Sequence, residues 1–154
     1  MAVRLERDEL IQAVRLTPLV SIDLIVKNNV GQILLGLRDN EPARDYWFVP
    51  GGRIGKGERI AAAFRRISAM ELGREFTMHD ARFLGVYEHI YEENFVRQPG
   101  FGTHYVVLSY ELSLSAPLIN LPADQHRDYQ WLLPGQILGA SDVHPYTKAY
   151  FESS

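Results

Sequence analysis

Five residues keep fixed distances along one stretch of the chain: Gly52, Glu58, Arg66, Glu71 and Gly73. They follow directly on Pro50-Gly51-Gly52. Glycine at 51 and 52 permits positive φ and close backbone approach, so a carbonyl or amide there can touch a metal or a phosphate. By itself such a turn reads equally well as a tight bend that needs glycine. The acid in "RRISAMELG" is the sharper signal. At about 100° per residue, Glu71 falls only ~20° from Ile60 around a helix axis and close to Phe64 and Ile67, so it ends an apolar stripe. It also stands in the last turn, where the helix dipole disfavours a negative charge. An acid so placed is a candidate ligand for a divalent ion, whereas the competing reading is a surface acid paired with an arginine. Magnesium keeps several waters in its octahedron, so Glu71, one or two neutral oxygens and a substrate phosphate suffice to hold it.

Other chemistry-bearing residues are scattered. "DQH" at 124–126 offers Gln125, a neutral oxygen donor, and His126, of a residue type whose unperturbed pKa suits a general base near neutrality. A histidine in a polar loop is otherwise simply a surface residue. Arg38, Arg53 and Arg66 are cations able to gather around a phosphate. Arg66 reads equally as a salt bridge that braces the loop against the helix, and Arg38 as a solubilising surface charge. Asp23 is an acid inside an apolar strand, either aimed at a ligand or facing solvent at a strand edge. Tyr105 and His89 lie on neighbouring strand patterns and either orient a substrate or pack as buried, hydrogen-bonded aromatics. His104 alternates to the opposite strand face.

These residues require a mixed set of elements to position them. Leu5 to Leu16 has helical apolar spacing and stops before Pro18. "LVSIDLIVKNNVGQILLGLR" reads as a hairpin around Asn28, Asn29 and Gly31. "YWFVPGGRI" is a short strand broken at Pro50, and "ERIAAAFRRISAMEL" is the main helix, closed by Gly73. "ARFLGVYEHIYEE", "THYVVLSYEL" and "YQWLL" are further strands, with short helices at 134–138 and in the 142–151 region. The expectation is an α+β unit, a mixed sheet flanked by helices.

Composition sets the outer limits. At 154 residues with 46% hydrophobic content, the length predicts one domain, 1–154, with a real core. A net charge of -3 makes no case for a polyanion-binding surface, so nucleic acid is not an expected partner. The absence of cysteine excludes disulfide frameworks and thiolate zinc sites, and fits a reducing cytoplasm. No run reaches the ~20 apolar residues of a membrane span.

The segment 52–74, Gly52 with Glu58, Arg66, Glu71 and Gly73 in register, resembles the Nudix box: glycine, five residues, glutamate, seven residues, then Arg-Glu-apolar-any-Glu-Glu-any-Gly. Three departures carry information. Ile67 and Met70 stand where a typical member has glutamates, and Ser68 where an apolar residue is usual. Positions 67, 70 and 71 share one helix face, so these replacements remove negative charge from one small site. A cluster of several ions is thereby disfavoured, and one ion remains.

This altered box looks like that of the GDP-mannose mannosyl hydrolase subgroup. The resemblance extends through "TPLVSIDLIV", "YWFVPGGRI", "AAFRRISAMELG", "FGTHYVVLSY" and "DQHRDYQWL". It implies a Nudix-type α/β/α sandwich and hydrolysis of GDP-mannose, with GDP-glucose as a second substrate, at the sugar carbon with inversion. It implies one Mg2+ per site, or Mn2+ in its place, held by the Gly51 carbonyl, Glu71 and Gln125. It further implies His126 as base, Arg38 and Arg53 on the diphosphate, Asp23 and Tyr105 at the reacting sugar, and His89 on the substrate. Arg4, Leu5 and Leu10 would contact guanosine, in cis or across a homodimer. Two readings stand beside this one: a conventional diphosphatase releasing GMP and sugar phosphate, and a non-catalytic nucleotide-sugar sensor.

Overall fold

The computed structural model describes residues 4–123 and 126–152; Asp124 and Gln125 lie outside them. Helix α1 (Arg7–Leu16) begins two residues later than the apolar spacing predicts. Glu6 takes the N-cap position and its amide donates to Glu9 Oε1 at 2.9 Å, a capping box that leaves Leu5 outside the helix. Strands β1 (Leu19–Lys27) and β2 (Ile33–Leu37) form the expected hairpin, followed by β3 (Trp47–Phe48) and β4 (Gly51–Arg53). Helix α2 (Ile60–Leu72) ends at Gly73, whose φ of 71° is the left-handed conformation that glycine adopts without a Cβ clash. A 3-10 turn at Met78–Asp80, strands β5 (Ala81–Tyr91), β6 (Thr103–Ser113) and β7 (Tyr129–Leu132) and the short helices α3 (Pro134–Gly139) and α4 (Pro145–Lys148) follow.

The sheet runs β3-β2-β1-β6-β5, with β4 added on β1 and β7 on β2. β1 is parallel to β6 and antiparallel to β2 and β4, so the sheet is mixed. β1 is buried on both faces, which is why it reads as a near-continuous apolar run rather than an alternation. Its even residues Ile22, Leu24 and Val26 pack with Phe64, Ile67 and Leu72 of α2. On the odd face Ile25 packs with Ile33, Leu35, Val49, Ile137 and Val143, the last two brought by the C-terminal segment. Asp23 belongs to this second face by the same period of two.

Ser68 is fully buried and explains its own departure from an apolar residue. Its hydroxyl accepts from the Phe76 amide at 2.9 Å and lies 3.0 and 3.2 Å from the carbonyls of Arg65 and Phe76, pinning the segment that leaves α2. No helix among the described residues is long and apolar enough to cross a membrane.

Candidate active site

β4 places the site. The ladder bonds Leu24 N–H to Pro50 O and Ile54 N–H to Val20 O, both 2.8 Å, commit alternate residues of this segment to β1. The polar backbone of Gly51 and Arg53 therefore faces α2. Gly51 N–H donates to Glu71 Oε1 at 3.2 Å, and Arg53 O accepts from Arg66 Nη2 at 2.7 Å. Gly51 is glycine because a Cβ there would stand 2.5 Å from both Asp23 Oδ1 and the Ile22 carbonyl. That close approach brings a β1 carboxylate, a β4 backbone and the end of α2 together.

Glu71 is 7% exposed, although Ile60, which shares its stripe one end away, is 43% exposed. The stripe is thus buried at its C-terminal end, where the acid sits. Its partners are not arginines: besides the Gly51 amide, His126 Nε2 lies 3.2 Å from the same Oε1. Both contacts fall on Oε1, leaving Oε2 without a hydrogen bond among the described residues. The His126 side chain is 10% exposed, so the polar loop carries it into the site rather than onto the surface.

An open cleft of about 280 Å³ collects Asp23, Arg38, Gly51, Gly52, Arg53, Glu71, His89, Tyr105 and His126. Arg38 is held by its neighbours: Nε donates to the Pro42 carbonyl at 2.9 Å, and the guanidinium lies 5.2 Å from the Phe48 ring centroid. Arg66 takes the structural alternative. It forms two bonds with Glu58, Nε to Oε2 at 2.8 Å and Nη2 to Oε1 at 2.9 Å, and Glu58 also accepts from Gly55 N–H. This bracing of the loop onto α2 holds the Glu58 carboxylate below its usual range and turns Arg66 away from the cleft. Arg4, Leu5 and Leu10 do not line the cleft; they belong to the segment of α1, which contacts β6. His104 lines a separate surface hollow beside Leu16 and Pro18.

The rear wall holds residues that the sequence did not single out. Tyr150 OH donates to Asp23 Oδ2 at 2.5 Å and lies 3.5 Å from His89 Nε2. His89 is stacked on Tyr146 with ring centroids 4.5 Å apart. Burial pushes His89 down to about 4, keeping it neutral. Burial also raises Asp23 to about 7, against the lowering effects of the Tyr150 hydrogen bond and Arg38 and with a smaller raising effect from Glu71. The Tyr150 hydroxyl is driven upward by burial and by Asp23, so it remains a donor.

A stability prediction follows for the metal-free protein. The folded state keeps the Asp23 proton between about pH 4 and 7, where an unfolded chain has already released it. Stability therefore falls as pH rises through that window and stays lower above it. Asp23→Asn removes the penalty while keeping an acceptor for Tyr150. Urea melts should show a flatter pH dependence and, at pH 8, a gain on the order of 2–4 kcal/mol. An unchanged slope would place the titrating group elsewhere.

Comparisons with known proteins agree with this architecture. The chain is 36% identical over 152 residues to the low-salt glycan biosynthesis protein Agl8 of Haloferax volcanii, covering 97% of this chain and 90% of that protein. Among solved structures, the MutT NUDIX hydrolase from Burkholderia pseudomallei superposes with a TM-score of 0.70 at 23% identity, covering 88% of this chain and 96% of that one. The NUDIX domain of Shewanella oneidensis NrtR, solved with ADP ribose, superposes with a TM-score of 0.63 at 15% identity over 95% and 96%. At these identities the two structures speak for the fold. A match to the NUDIX domain runs over residues 17–152, from just before β1 to just past α4, and with it the chain belongs to the Nudix hydrolases.

Proposed function

We propose that this Nudix hydrolase cleaves a GDP-linked hexose of the GDP-mannose class at the sugar carbon, releasing GDP and the free sugar with inversion. The observation that carries this reading is the surroundings of Glu71. Of the three box positions on its helix face, Ile67 is 1% exposed and turned into the core, and Met70 is 49% exposed beside Arg66. Glu71 alone of the three brings a carboxylate to the cleft, and His126 stands against it.

The donor set fits one divalent ion, Mg2+ or Mn2+. Glu71 Oε2 is unbonded among the described residues, the Gly51 backbone lies on the same side, and Gln125 is one residue from His126. Among the described residues no group of three or more His, Asp or Glu side chains gathers for a richer metal site. When bound, the ion supplies charge stabilisation to the departing diphosphate. Arg38 and Arg53 add to it, which lessens the need for an acid on the leaving oxygen.

Water attacks the anomeric carbon opposite the leaving group, and its proton passes to His126. The carbon–oxygen electron pair departs on the β-phosphate oxygen of GDP. Glu71 accepts from Nε2–H and so fixes the tautomer, leaving the basic lone pair on Nδ1. Positive charge developing on the sugar ring meets Asp23, while Tyr105 and neutral His89 hold the sugar. Guanosine is assigned to Arg4, Leu5 and Leu10 of a second copy in a homodimer, since they lie away from their own chain's cleft. The relative's part in glycan biosynthesis supports a nucleotide-sugar substrate.

Turnover of GDP-mannose with Mg2+ in ¹⁸O-labelled water tests the reading. Label in β-mannose is the expected result. Label in a phosphate would show a conventional diphosphatase, and tight binding without turnover a sensor.

A further inference from the structure

The ring of His126 occupies the space of a missing side chain. Gly36 lies in β2, paired with Phe48 of β3 on one side and Tyr129 of β7 on the other. Its backbone is in no positive-φ conformation, so alanine could adopt it without strain. A Cβ built there would nonetheless meet the imidazole at 2.5 Å from Cγ, 2.6 Å from Nδ1 and 2.8 Å from Cδ2. The three nearest atoms to that Cβ all belong to one ring, and to no part of the core. Glycine in a strand interior sacrifices packing and chain entropy, so it calls for a local reason.

We propose that Gly36 is the positioning residue for His126: the absent side chain leaves a seat on β2 in which the imidazole lies flat. The other walls of the seat are Tyr129, edge-on with ring centroids 5.4 Å apart, and Glu71, which takes Nε2. Three contacts thus fix height, tilt and rotation of one ring, and Gly36 fixes the height. This inference rests on His126 being the base of the proposed reaction.

Gly36→Ala tests it in the full-length protein. The ring, as the movable partner, is displaced while the strand stays. The expected result is a kcat lowered on the order of 10²-fold, the loss typical of a catalytic group misplaced by about 1 Å. KM and the Mg2+ dissociation constant should change less than threefold, and the urea midpoint should not fall. The ¹H–¹⁵N resonances of His126 should shift, and they should not in Gly135→Ala, where an added Cβ meets nothing within 4 Å. In a His126→Gln background the alanine should cost no further rate. Full kcat with unshifted ring resonances would overturn the proposal, as would an equal loss of rate in both backgrounds. If His126→Gln alone turned over at the wild-type rate, the base assignment would fail, and the ring resonances of Gly36→Ala would still decide whether the seat exists.

Discussion

His126→Gln should lower kcat by about 10²–10⁴-fold, the range that a positioned general base contributes. Glutamine is chosen because its amide can still donate to Glu71 Oε1, the bond now made from Nε2 at 3.2 Å. It lacks a basic lone pair. The substitution thus separates proton abstraction from the job of satisfying a buried carboxylate. KM for GDP-mannose and the affinity for Mg2+ should stay close to wild type, since no other cleft residue loses a partner. Steady-state kinetics beside calorimetry of Mg2+ binding decide the matter. Parallel losses of rate and affinity would instead assign His126 to holding substrate.

Glu71→Gln is expected to act on binding first. Replacing even an outer-sphere partner of a metal site costs 10–100-fold in affinity, so loss of the sole box carboxylate in the cleft should cost at least about 10²-fold. The introduced amide would keep an acceptor for Gly51 N–H and the shape of the helix end, so the fold should survive. Paramagnetic titration with Mn2+ should show the weakened site directly, and turnover at ordinary Mg2+ concentrations should vanish into background. Unchanged Mn2+ affinity would move the ion away from Glu71 and defeat the ligand set. The two variants are complementary, because one keeps the cation without the base and the other the base without the cation.

The elements were legible because each carries a local signature: Pro18 behind a helical stripe, Asn28 to Gly31 between two apolar runs, Gly73 past the last turn of α2. The start of α1 is not legible in the apolar spacing, because Leu5 continues it while the capping box of Glu6 and Glu9 sets the boundary. Within the candidate site, Glu71 stood out as an acid on a greasy stripe and Asp23 as an acid in an apolar strand. For Arg66, sequence alone left two readings in balance, and only the bonds to Glu58 and to the Arg53 carbonyl chose between them. Tyr150 and Gly36 had no local signal. Each matters through contact with residues distant in the chain, Asp23 and His89 in one case and His126 in the other, and spacing along the chain says nothing about such pairs.

The bond between Asp23 and Tyr150 joins residues 127 positions apart. Asp23 is synthesised early, and its partner emerges only after α4 has begun. Until then the acid has no phenol to donate to it, and burying it alone leaves its carboxyl oxygen without that hydrogen bond. The rear wall is therefore complete only once Tyr150 has been made, so a chain ending before Tyr150 would carry the box and its helix yet lack the bond that holds Asp23.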